Sequence, residues 1–203
     1  MRLKTTGSAR QIVLTIPNCL GFFPYSRSRL RDREPGGEKA VPHPSPSARS
    51  FLERCPQEVA EIFRYWEEKC GNRAMPRRAD IDPEDFVRHL PGILLVDVEG
   101  LDASGVGIYR YRVVGTAEVT LRGHDPTGKR IEEGFWGPTL EDVIDSYEFV
   151  RKNRTFLYDP NAYVTPEGRL SKESTIFLPL SEDGVSVTQV LVYSISHEKD
   201  VDA

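Results

Sequence analysis

The stretch from Gly107 to Lys129, GIYRYRVVGTAEVTLRGHDPTGK, constrains the fold more than any other part of this chain. Tyr109, Tyr111 and Val113 point one way and Ile108 and Val114 the other, with Arg110 and Arg112 interleaved, which is the two-residue period of a strand. Gly115 ends that strand. Thr116 is expected to cap a short helix, because its hydroxyl can accept a free backbone N–H, and Gly123 to stop it. His124 to Gly128 reads as a tight polar loop. A long helix and three strands follow this unit.

The flanking elements read as follows. Pro56 to Lys69 is an amphipathic helix with Val59, Ile62, Phe63 and Trp66 on one stripe, closed by Cys70-Gly71. Asp82 caps a second helix, with Pro83 at its first position and Asp85 at its third, and Pro91-Gly92 stops it. Arg77 and Arg78 beside Asp80 suit an ion-pair network that clamps this segment to the sheet, or an anion grip. Ile93 to Glu99 is a strand whose nearly continuous apolar run suits a central place or cover on both faces. Phe135 and Trp136 plug one end of a cavity or belong to an ordinary core. Thr139, with Asp142 three residues on, caps the long helix, whose inward stripe is Leu140, Val143, Ile144, Tyr147 and Val150. Thr155 to Thr165 is a strand broken at Asp159-Pro160-Asn161. Arg169 to Leu180 and Val185 to His197 are strands joined by the hairpin signal Ser181-Glu182-Asp183-Gly184. In the last strand Val185, Val187, Gln189, Leu191, Tyr193 and Ile195 share the face expected to meet the core, so Gln189 needs a polar partner there, which a ligand would supply.

Three stretches carry a family resemblance: Met75-Pro76-Arg77-Arg78-Ala79-Asp80-Ile81-Asp82-Pro83, Leu90-Pro91-Gly92-Ile93-Leu94-Leu95, and Tyr111-Arg112-Val113-Val114-Gly115-Thr116. With the element order, they make the chain resemble a PAS domain, and more narrowly a subfamily of short bacterial PAS-like proteins, from Pro56 to about His197. The resemblance implies an α+β fold: a five-stranded antiparallel sheet with helices on one face and an N-terminal helix outside. It also implies that the long helix crosses the sheet and that its stripe lines a small cavity. An N-terminal helix of this kind often packs against a partner copy, so Val59, Ile62, Phe63 and Trp66 form a candidate homodimer stripe; the other reading folds that helix back on its own sheet. The expected organisation is a tail over 1–50, a helical segment over 51–92 and the PAS-like domain over 93–199.

Composition bounds the function. The net charge of −4 and the lack of a basic stripe interleaved with aromatics argue against a nucleic-acid module. Cys19, Cys55 and Cys70 form no C-x-x-C pair, which fits a reducing cytoplasm. No apolar run approaches the ~20 residues that span a bilayer. The tail holds a charged run, Ser26 to Arg33, and a Pro/Ser-rich run, Val41 to Ser47, and neither supplies the apolar surface that ordering requires. Gln11 to Phe23 resembles a signal-peptide core, but Pro17 and Asn18 interrupt it and no A-x-A site follows.

Catalytic and cofactor signals fail in turn. Gly123 to Lys129 matches GxxxxGK, yet Arg130 stands where a phosphate-binding loop needs Ser or Thr. His43, His89, His124 and His197 lie in separate stretches without metal-ligand spacing. A haem-binding relative would offer a histidine on Leu140 to Asn153, and a flavin photosensor a cysteine within Thr116 to Lys129; neither is present, which argues against both cofactors. No G-x-S-x-G occurs. The expectation is a stand-alone, non-catalytic sensory or regulatory module that binds a small molecule, a signalling protein or both and acts in trans. The alternatives are a small isomerase- or hydrolase-like enzyme and a pure protein-interaction module. The polar residues expected to meet a ligand are Tyr111, Arg112, His124, Tyr147, Gln189 and Tyr193, with Arg112 favoured instead for pairing with an acidic neighbour.

Overall fold

The computed structural model describes residues 47–136, 139–160, 162–164 and 170–197. The readings made for residues 1–46 lie outside the described residues. Among the described residues, six strands form one antiparallel sheet: β1 (Ile93–Leu101), β2 (Gly107–Val114), β3 (Leu157–Asp159), β4 (Ala162–Val164), β5 (Leu170–Leu180) and β6 (Gln189–His197). Their order is β2-β1-β6-β5-β3, and β4 also pairs with β5. β3 pairs with Thr175 to Phe177 and β4 with Leu170 to Lys172, so the two are halves of one interrupted strand and the sheet is five positions wide. The interruption falls at Pro160, which has no N–H to give a ladder.

The continuous apolar run of β1 follows from its place between β2 and β6. Ile93 and Leu95 enter one apolar layer, and Leu94 and Val96 enter the other. β6 does the same: Leu191 and Tyr193 face the first layer and Val190 and Val192 the second. The expectation of a single core side on β6 is therefore corrected. The sheet is covered twice, and alternation on a strand buried on both faces does not separate core from solvent. The expected start of this strand at Val185 is also too early, since the strand begins at Gln189. Asp183 accepts from the backbone of Val185 (2.8 Å) and Ser186 (2.6 Å) and from the Ser181 hydroxyl (2.9 Å), which holds the chain in a loop until Gln189.

Among the described residues, four α-helices flank the sheet: α1 (Gln57–Cys70), α2 (Thr116–Arg122), α3 (Ile131–Gly134) and α4 (Leu140–Asn153). α1 lies on the first layer. Val59, Ile62, Phe63 and Trp66 are 0%, 1%, 1% and 6% exposed, and the Trp66 indole donates to the Pro179 carbonyl of β5 at 2.9 Å. The homodimer stripe is thereby corrected: these side chains are already covered by the chain's own sheet, each burial worth roughly 2 kcal/mol. Phe51 is buried in a 3-10 turn, Arg49–Glu53, and its ring meets Phe63 at 5.0 Å and Tyr158 at 4.8 Å.

The segment after Asp82 is 3-10 helix rather than α-helix, kinked at Phe86, although Asp82 caps it through the Glu84 N–H at 3.0 Å. Asp80 pairs with Arg73 at 2.6 Å and Arg78 donates to the Ile81 carbonyl, while the Arg78 N–H reaches Glu182 at 3.1 Å and the Ser181 N–H reaches the Pro76 carbonyl at 2.9 Å, so the network is structural and ties the segment to the end of β5. The N-cap of α2 is Gly115, not Thr116. A side chain at Gly115 would collide with the Leu90 and Pro91 carbonyls, and its N–H reaches the Ile93 carbonyl at 2.7 Å. Gly123 ends α2 in the left-handed region, φ 71°, as its position predicts. Thr139 caps α4 by accepting the Asp142 N–H at 3.0 Å. Among the described residues, no helix is long and apolar enough to cross a membrane.

Candidate functional site

The second apolar layer, under α4, carries the candidate site. β2 sends Tyr109 and Tyr111 to the same side, two residues apart, and both are buried. α4 lowers Tyr147 between them and β5. The Tyr147 ring lies 5.1 Å from Tyr109 and 5.3 Å from Phe177, edge-on to the latter. These aromatic contacts fill the middle of the layer.

Toward α2 the layer becomes polar. Glu118 and Arg122 stand one turn apart on α2 and form an ion pair with side chains 6% and 4% exposed. The Arg122 guanidinium lies 5.9 Å over the Tyr111 ring and also donates to the Glu118 carbonyl (3.1 Å) and the Gly134 carbonyl (3.4 Å). The Tyr111 hydroxyl donates to that same Gly134 carbonyl at 3.2 Å. Glu173 joins from β5, two positions before Thr175, whose hydroxyl meets that of Ser194 at 2.8 Å. The cluster thus holds two carboxylates and one guanidinium in a poorly hydrated space. Burial raises the Glu118 carboxyl and Arg122 pulls it back. Glu173 lacks so close a cation: burial, followed by the negative charge of Glu118, pushes it up to about 7 against a relieving hydrogen bond with Ser194. Burial raises the Tyr147 phenol well above its usual value, so it stays neutral.

A second polar knot fastens α4 to the β1–β2 hairpin. Glu148 accepts from the Tyr109 hydroxyl (2.5 Å), the Gly107 N–H (2.8 Å) and Arg151 (2.7 and 2.8 Å), and Lys152 lies 2.9 Å away. Arg151 chiefly holds this carboxyl far below the usual carboxylate range. Gly107 is required there, since a Cβ would sit 2.6 Å from the Tyr109 ring and 2.9 Å from the carboxylate.

A family profile described as the PAS domain matches residues 55–192. The chain belongs to the PAS domain family. Distant likenesses to solved structures accompany the match. A light-oxygen-voltage domain studied with a flavin analogue is 10% identical with a TM-score of 0.41, over 58% of this chain and 84% of that one. A fungal LOV domain photoreceptor is 10% identical with a TM-score of 0.37, over 59% and 94%. The PAS domain of an HTR-like protein from Haloarcula marismortui is 21% identical with a TM-score of 0.31, over 51% and 81%. No curated protein matches the chain.

In this PAS domain the six residues expected to meet a ligand do not converge. Tyr111 and Tyr147 lie together under α4. Tyr193 is on the opposite face beneath α1, where its hydroxyl meets His89 Nδ1 at 3.3 Å and burial pushes it up to about 12. Gln189 donates to Asp97 at 2.6 Å on that same opposite face, and its own carbonyl oxygen has no partner among the described residues. Arg112 is 68% exposed and only 3.9 Å from Asp97, so it takes the acidic neighbour favoured for it. His124 is exposed in its turn, against the Arg122 carbonyl at 3.1 Å. Phe135 is 36% exposed and plugs nothing.

The polar residues missed in the sequence are Glu118, Arg122 and Glu173. Glu118 and Arg122 have the spacing of an ordinary exposed helix pair. Glu173 shares strand parity with Phe177, which was the available sign that it faces the α4 layer.

Proposed function

We propose that this PAS domain is a sensory or regulatory module, non-catalytic, that takes a small molecule under α4 and reports occupancy to a separate protein in the cytoplasm. One observation supports it above the others: the Tyr111, Glu118, Arg122, Tyr147 and Glu173 cluster stands at an otherwise apolar layer. Burying a guanidinium and a carboxylate beside a second, half-buried carboxylate costs several kcal/mol unless their bonding is complete, so a core selected only for stability gains little from them. A ligand donating to Glu173 or accepting from Arg122 would complete it. The elements that would feel its arrival are α2, α4 and β5, which bring the charged groups together. The likeness to short bacterial PAS-like proteins fits the same reading.

The test is native mass spectrometry of the purified protein, before and after denaturation. A retained species of a few hundred daltons, lost in Arg122→Met and in Glu173→Ala, supports the assignment. A bare mass for the wild type, with no metabolite-induced rise in melting temperature, overturns it. The pure interaction module would then stand, favoured by the packing of Tyr109, Tyr147 and Phe177 that already fills the middle of the layer.

A further inference from the structure

A concavity of about 530 Å³ opens between α3, the start of α4 and the β1–β2 hairpin. Its floor is apolar and half-buried: Val106 and Ile108 from the β1–β2 hairpin, Leu140 and Ile144 from α4. Its rim carries Asp102, Glu132 and Glu141 against the single cation Arg130. The sign of the rim extends into the surrounding sequence. From Ile131 to Val150 the acids are Glu132, Glu133, Glu141, Asp142, Asp145 and Glu148, with no Lys or Arg among them. Glu148 is paired with Arg151 and Lys152. The acids of the rim come from three separate elements, so one small cation would meet only part of the field, whereas a chain bearing several cations spans it.

We infer that this groove docks a basic polypeptide segment with an aliphatic or aromatic anchor, the anchor seated on Leu140 and Ile144 and the flanking Lys or Arg side chains held by the acidic rim. It rests on the sensory reading only in making this partner the recipient of the signal. α4 is shared by the interior cluster and the groove, so a shift of α4 reaches both.

The test is fluorescence anisotropy with a labelled peptide of roughly 12 residues built from Lys-Lys-Leu-Phe repeats, beside two controls, one with Glu for Lys and one with Ala for Leu and Phe, at about 50 and about 300 mM salt. The first peptide should bind at least about tenfold more tightly than either control and weaken about tenfold at the higher salt. Glu132→Lys and Ile144→Ser, each checked for an unchanged circular dichroism spectrum, should each lower its affinity about tenfold. Equal binding of the Ala control, no binding at all, or affinity indifferent to both variants would overturn the assignment. Retention of a small molecule in the mass spectrum reads the interior cluster and is independent of these variants, so the two proposals fail separately.

Discussion

Replacing Glu173 by Gln removes the one carboxyl of the interior cluster that lacks a close cation. In the folded chain burial and the charge of Glu118 push this group up to about 7, from 4.5 when free. The sign follows from linkage. An acid whose folded value is raised contributes full stability below its unfolded value, and that contribution is lost as pH rises through the folded value. With 1.36 kcal/mol per unit, the complete loss is about 3 kcal/mol, of which about 2.5 falls between pH 5 and pH 8.5. In a domain of this size that corresponds to a fall in Tm of roughly 5–10 °C. Gln keeps the shape and the hydrogen bonding to Ser194 but cannot ionise. The assay is thermal unfolding followed by circular dichroism over that pH range, for wild type and Glu173→Gln in parallel. The variant should match the wild type most closely near pH 5, pull ahead of it between pH 5 and pH 7, and hold a nearly constant lead above pH 7. Taking the difference between the two curves removes the contributions of groups not coupled to Glu173, the histidines among them. Parallel curves would refute the claim that Glu173 is half-buried beside Glu118 without its own cation.

Other outcomes follow from the same geometry. Glu148→Gln leaves Arg151 without its carboxylate and loosens the hairpin from α4, and should cost about 3 kcal/mol in urea unfolding. Because that carboxyl is held low, the wild type should also lose this contribution as pH falls below the free value of 4.5, and the variant should not. Tyr147→Ala empties the contact with Tyr109 and Phe177 and should cost about 3–5 kcal/mol. Arg112→Ala should change stability by less than about 0.5 kcal/mol, since its guanidinium is exposed and loosely paired; a larger loss would show a partner beyond Asp97. Trp66→Ala should cost about 3–5 kcal/mol and do so in a monomer, which a concentration-independent Tm would verify.

Much of this domain was legible in local patterns. The strand at Tyr109 and Tyr111, the Gly123 stop, the Thr139 cap, the stripe on α4 and the break at Pro160 each depend on a few neighbouring residues, because side-chain period and free backbone groups are short-range properties. The apolar run of Ile93 to Val96 even announced that β1 would be covered on both faces. The candidate site was half legible: Tyr111 and Tyr147 were placed together, whereas Tyr193 and Gln189 went to the opposite face. On a strand buried on both sides, parity sorts residues into two groups without naming which group meets which helix.

What the amino-acid order determined, then, was the succession of strands and helices and the inward stripe of each amphipathic helix. Only the packed chain decided that α1 covers its own sheet, since an apolar stripe accepts a sheet or a second copy equally well until the two are brought together. Only packing, too, set Glu173 beside Glu118 and Arg122, whose positions far apart in the chain carry no local sign of the shared burial that changes their chemistry.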